Sequence, residues 1–146
     1  MSDQTCMYCN KGDELTQTMV PIGAVDGYPL YLMRNQAYRG RVVLAYHEHI
    51  GKIGEMPPAK CAEFFLAVRK TARALTVVFQ PGQINIGMYA DKMSHLHCHI
   101  TPKYENGPDW GGIFQMNPQP PVLMTEREYQ QLGHQIMDAL KQCEVG

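Results

Sequence analysis

The 146 residues suffice for a single domain that buries a sizeable core without staples. With 45% hydrophobic and 18% charged residues the composition is that of a globular protein, and a formal net charge of −1 excludes a global field drawing the chain to nucleic acid or an anionic membrane. No apolar run approaches a membrane span, and Met1-Ser2-Asp3-Gln4-Thr5-Cys6 lacks the basic and apolar regions of a signal peptide, so the expected compartment is the cytoplasm.

Cys6-Met7-Tyr8-Cys9 opens the chain, followed by a polar turn at Asn10-Lys11-Gly12-Asp13. A Cys-x-x-Cys pair is a redox dithiol, half of a tetrahedral zinc site, or two unliganded thiols near a terminus. Too few residues precede Cys6 for the strand of a thioredoxin-like unit. Zinc needs two further ligands, which histidines elsewhere could supply. The five cysteines are an odd number, which argues against a disulfide framework. Cys61 and Cys98 lie in apolar patterns and read as small buried residues.

Short extended segments follow. Met19 to Ile22 reads as a strand, Val25-Asp26-Gly27 as a turn and Tyr28 to Met33 as a second strand. Arg34 to Gly40 is a polar connection. Arg41 to Tyr46, rich in β-branched residues, is a third and central strand. His47-Glu48-His49 ends it, and either histidine is a surface residue or a ligand. Pro57-Pro58 can start a helix. From there Cys61, Phe64, Phe65, Val68, Ala72 and Leu75 form an apolar stripe, with Glu63, Arg69, Lys70 and Arg73 on the wet side. That helix ends before Pro81-Gly82. Gln83 to Tyr89 is a fourth strand, and the short loop after it predicts an antiparallel hairpin.

The next stretch is Ser94-His95-Leu96-His97-Cys98-His99-Ile100-Thr101-Pro102. A strand has a side-chain period of two, so three imidazoles would share one face with Asn85, and Leu96, Cys98 and Ile100 would enter the core. The strand is expected to stop at Pro102. Two chemistries suit alternating histidines: a catalytic zinc with an open water position, or covalent catalysis by an imidazole nitrogen attacking phosphorus. Lys103 to Pro121 is long and irregular, rich in glycine and proline. It either closes over a flat ligand or is pinned by a buried Trp110. Thr125-Glu126-Arg127-Glu128 is a capping box. Tyr129, Leu132, Ile136, Leu140 and Cys143 continue at helical spacing, with His134 off the stripe.

His95-Leu96-His97-Cys98-His99-Ile100-Thr101 resembles the signature of the histidine triad (HIT) family. Pro102-Lys103-Tyr104 and the N-terminal Cys-x-x-Cys resemble bacterial members, and Gly40-Arg41-Val42-Val43-Leu44-Ala45 resembles the strand before a histidine-containing turn in the same family. Trp110-Gly111-Gly112 with Phe114 resembles a tail of one bacterial branch. The resemblance runs from about Cys6 to Phe114. It implies one HIT-like α+β domain over 1–146: a five-stranded antiparallel sheet, one long helix and a C-terminal helix over about 125–143. It also implies a homodimer and a purine nucleotide or nucleotide conjugate as partner. The implied activity is hydrolysis or transfer at the α-phosphate of nucleoside phosphoramidates or dinucleoside polyphosphates. His97 would be the nucleophile and His99 would orient it and the phosphate. Cys6, Cys9, His49 and His95 would hold a structural zinc, with His47 competing for the place of His49. Asn35, Arg41, Asn85, Lys92 and Ser94 are candidates for contacts to the nucleotide. Arg41 stands where many members have a fourth histidine. The alternatives are a metallohydrolase with one metal on His95, His97 and His99, and a nucleotide-binding regulatory module without turnover.

Overall fold

A computed structural model describes residues 3–143; residues 1–2 and 144–146 of the expected domain lie outside them. The elements in order are α1 (Met7–Asn10), α2 (Asp13–Thr18), β1 (Met19–Val25), β2 (Tyr28–Met33), β3 (Val42–Ala45), α3 (Pro58–Phe79), β4 (Gln83–Gly87), β5 (His97–Lys103) and α4 (Glu126–Cys143). The strands form one antiparallel sheet in the order β1-β2-β3-β5-β4. This is the expected α+β architecture.

The period of two divides the central strands between two cores. Leu30, Leu32, Val42, Leu44, Cys98 and Ile100 meet Phe64, Ala67, Leu75, Tyr129, Leu132 and Ile136 of the two long helices. Their neighbours Tyr31, Met33, Val43 and Ala45 face the other way and meet Cys6, Tyr8, Leu15 and Met19 from the N-terminal segment. His97 and His99 belong to that second face, since they pair with Ala45 and Val43. Directly paired residues of an antiparallel ladder point to the same side.

The helices follow their local signals. Pro58 occupies the first turn of α3, where its missing N–H is not needed. At the start of α4, Glu128 N–H donates to Thr125 Oγ1 at 3.2 Å and Thr125 N–H donates to Glu128 Oε1 at 3.4 Å. His134 is exposed, as expected.

Five expectations are corrected, the first being that β1 runs to Val25 instead of ending at Ile22. The third strand is shorter than Arg41 to Tyr46, and the fourth ends at Gly87 instead of Tyr89. The histidine strand starts at His97, so His95 lies before it, and it runs through Pro102 to Lys103. Gly82 N–H donates to the Lys103 carbonyl, which turns Lys103 toward β4 and Pro102 the other way. The missing proline N–H therefore falls beyond the last β3 pair, Val42 with Ile100, where the β3–β5 ladder has ended. Finally, Phe65 is exposed despite its place in the apolar stripe of α3.

Candidate active site and metal centre

Cys6, Cys9, His49 and His95 converge. Among the described residues they are the one group of three or more Cys, His or acidic residues with metal-ligand geometry, and their four donor atoms lie within 4.8 Å of one another. His95 Nδ1 is 3.3 Å from His49 Nδ1 and 3.5 Å from Cys6 Sγ. Cys9 Sγ is 3.4 Å from His49 Nδ1 and 3.6 Å from His95 Nδ1. A tetrahedral ion with Zn–S of about 2.3 Å and Zn–N of about 2.05 Å requires N···N edges of about 3.3 Å and S···N edges of about 3.6 Å. The donors fit zinc. His95 Nε2–H donates to the Tyr46 carbonyl at 2.7 Å, which leaves the Nδ1 lone pair for the ion. His49 Nε2 lies 3.7 Å from Asp3 Oδ2, a carboxylate behind a ligand histidine. His47 is exposed against the rings of Tyr28 and Tyr46, and His49 is the imidazole that the fold brings to the cysteine pair.

His97 is 6% exposed. Its Nδ1–H donates to the His95 carbonyl at 2.7 Å, so its Nε2 carries the free lone pair. Burial holds its pKa below the usual imidazole value, and the His95 hydrogen bond offsets part of that. A buried, neutral imidazole with one nitrogen fixed is a ready nucleophile. The Tyr8 ring packs at a tilt against both imidazoles, 5.2 Å from His95 and 5.0 Å from His97 between centroids. The residue between the two cysteines therefore packs on the candidate nucleophile. Sequence reading missed Tyr8; its only signal was its position inside Cys-x-x-Cys.

His99 follows on the same face, its ring T-shaped to that of His97 at 5.2 Å. Arg41 is fully buried beside it, with Nη2 3.1 Å from His99 Nδ1 and Nη1 3.1 Å from the Gln115 carbonyl. Burial lowers the Arg41 pKa to about 10. Burial first, then Arg41 and His97, push His99 down to about 3. Phe114 covers His99 at 6.0 Å and Arg41 at 5.0 Å. The room for it comes from Gly87, which pairs with His99: a Cβ there would lie 2.6 Å from Tyr89 and 3.1 Å from Phe114. The irregular segment is thus pinned by Phe114, at 8% exposure, and Trp110 is 43% exposed. A buried-Trp pin is ruled out.

The other expected nucleotide contacts are dispersed. Asn35 donates to the Pro118 carbonyl at 2.9 Å and accepts from Val122 N–H at 3.1 Å, so it fastens the tail. Asn85 is on the histidine face, paired with Thr101, and accepts from Lys103 Nζ at 3.3 Å. Lys92 and Ser94 are exposed on the loop before β5. Of this set the structure brings Arg41 alone into contact with the triad. A cavity of about 310 Å³ opens beside the metal cluster, lined by Tyr8, Pro29, Ala45, Tyr46 and His95 among others.

The HIT domain family matches residues 21–106 of the chain. Protein hit of Bacillus subtilis (strain 168) is 28% identical over 90 residues, covering 58% of this chain and 62% of the relative, so the match spans less than two thirds of that relative's length. A histidine triad (HIT) protein of Sinorhizobium meliloti 1021 superposes with a TM-score of 0.79 at 23% identity, covering 88% of this chain and 95% of that one. A Zn-bound histidine triad family protein of Mycobacterium smegmatis superposes with a TM-score of 0.66 at 15% identity, covering 97% of each.

Proposed function

The chain belongs to the HIT family, and from that premise we propose that it binds purine nucleotides and hydrolyses or transfers them from substrates of the form nucleoside-phosphate-X. The observation that carries this reading is the fixed tautomer of His97. With Nδ1–H held by the His95 carbonyl, Nε2 presents a lone pair on the face shared with His99. Attack on the α-phosphorus would form a nucleotidyl-His97 intermediate, which water or an acceptor then cleaves. His99 Nε2–H and backbone N–H groups would meet the charge of the transferring phosphoryl group.

Cys6, Cys9, His49 and His95 would hold zinc, a reading supported by their donor distances and by the Zn-bound state of the M. smegmatis relative. Zinc bound there supplies a closed tetrahedral staple with no open position for water. One catalytic metal shared by His95, His97 and His99 has less support. His95 spends one nitrogen on this cluster and the other on the Tyr46 carbonyl.

A homodimer is supported by the edge position of β4 and by a groove of about 500 Å³ between it and α3, lined by Arg69, Thr76, Ile84 and Ile86 among others. Nearby apolar residues stay exposed, Leu66 at 58% and Val77 at 55%. No helix among the described residues is long and apolar enough to cross a membrane.

The test of the chemistry is His97→Ala with an adenosine substrate labelled at the α-phosphorus. The expected result is loss of turnover by at least about 10³-fold and loss of the protein-bound label. Undiminished turnover refutes the assignment. Tight nucleotide binding with no label in the unaltered protein supports a regulatory module instead.

A further inference from the structure

Arg41 touches His99 inside the triad, and the consequence of that contact for the leaving group rests on the reading of His97 as nucleophile. A guanidinium has donors and no acceptor. The 3.1 Å contact between Arg41 Nη2 and His99 Nδ1 therefore has one polarity: arginine donates and Nδ1 accepts. The single proton of the neutral ring then sits on Nε2. Such a ring offers a hydrogen bond but has no proton to give away. Losing the Nε2 proton would leave an imidazolate, and a second proton on Nδ1 would face a guanidinium already in that place. The depressed pKa of His99, about 3, agrees with this. A histidine at the Arg41 position would instead be able to supply or accept a proton at Nδ1.

The charge of Arg41 points the same way. None of the ion pairs among the described residues includes it. Its neighbours are the Gln115 carbonyl, the Met116 sulfur and the faces of Phe114 and Tyr38, and its Nε has no partner. A buried cation without a counter-charge favours negative charge developing nearby. The other buried cation on this face, Lys103, is occupied by Asn85 and by the carbonyls of Asp109 and Gly112.

We propose that the group displaced from the α-phosphorus departs as an unprotonated phosphate oxyanion, that amine leaving groups are disfavoured, and that Arg41 is the positioning residue that sets this preference. The lone pair of His97 Nε2 forms the N–P bond as the bridging P–O bond breaks. The bonding pair stays on that oxygen, which is stable as an anion near neutral pH. If the bond broken were P–N, the pair would stay on nitrogen unless a proton arrived, and His99 has none to supply. In the second step water attacks phosphorus, the N–P pair returns to Nε2, and one proton of the water passes to solvent.

The experiment compares diadenosine tetraphosphate with adenosine 5′-phosphoramidate on the unaltered protein, following the label on His97 with each. The expected kcat/KM ratio favours the polyphosphate by at least about 100-fold. Arg41→His should shrink that ratio by about tenfold or more, whereas Arg41→Lys, which keeps a donor against Nδ1, should retain it. Should the Arg41 variants fail to fold, a series of adenosine 5′-aryl phosphate esters on the unaltered protein decides. kcat/KM should fall by about tenfold for each unit rise in the pKa of the leaving phenol. Equal or faster turnover of the phosphoramidate with His97 labelled, or a flat phenol series, overturns the proposal and leaves His97 as the nucleophile. Absence of label with every substrate overturns the nucleophile assignment, and this proposal with it.

Discussion

Stripping the metal should loosen the N-terminal segment and destabilise the whole protein. Helix α1 has four residues, too few to persist without tertiary support. Cys6 at its N-cap and Cys9 within it face two imidazoles that come from different parts of the chain, so the ion would join α1, the segment after β3 and the approach to β5. Without it, His49 Nδ1 and His95 Nδ1 stand 3.3 Å apart, and they repel unless one of them carries a proton. An ion present at about 1,000 times its Kd stabilises the folded state by about 4 kcal/mol. For a chain of this size each kcal/mol corresponds to about 2–4 °C, so full removal should lower Tm by roughly 8–16 °C. Calorimetry of protein treated with a chelator and then titrated with zinc measures this. Cys9→Ser should show the lower Tm at every zinc concentration. Cobalt substitution supplies a second readout, because tetrahedral cobalt with thiolates has intense visible bands. An unchanged Tm on chelation, together with no cobalt–thiolate bands, would refute the staple.

The remaining expectations concern pH and assembly. His99 has a folded pKa of about 3 against an ordinary 6.5, so the unfolded chain takes the proton first as pH falls. Its contribution to stability is fully present above about pH 6.5 and is lost progressively toward pH 3, on the order of a few kcal/mol. Urea melts between pH 7 and pH 4 should show that slope, and His99→Gln should flatten it; equal slopes in the two proteins would remove His99 as the cause. Ile86→Asp, at a half-exposed position in the groove between the edge strand and α3, should convert a dimer to monomer in sedimentation measurements while leaving the sheet intact by circular dichroism. A monomeric unaltered protein would contradict the assembly.

Much of the frame was legible because it is built on local periodicity. The range of β2, the start and apolar stripe of α3 and the capping box of α4 follow from spacing and from individual residues. So does the common face of His97 and His99. The misreadings share one cause, which is that packing partners are not local. Phe65 fits the helical stripe, but the described chain covers it only in part, with the Phe64 ring beside it. Pro102 breaks a ladder in general, yet here its missing N–H falls where β3 has already ended. A buried Trp110 is one of two readings of the long segment, but the space above Gly87 and Arg41 takes Phe114. Helices α1 and α2 are too short to show a period and are held by the second core.

The sequence by itself determined that alternating histidines share a face, and it supplied a cysteine pair in need of two more ligands. Only the tertiary structure chose His49 over His47, because the choice depends on which imidazole reaches Cys9 across the fold. Only it turned His95 out of the strand, giving its ring to the cluster with Cys6, Cys9 and His49 and its carbonyl to His97. The tautomer of His99 was likewise beyond sequence. It is set by a guanidinium 58 positions away, and a hydrogen bond of that kind acquires its polarity only when the two groups are brought into contact.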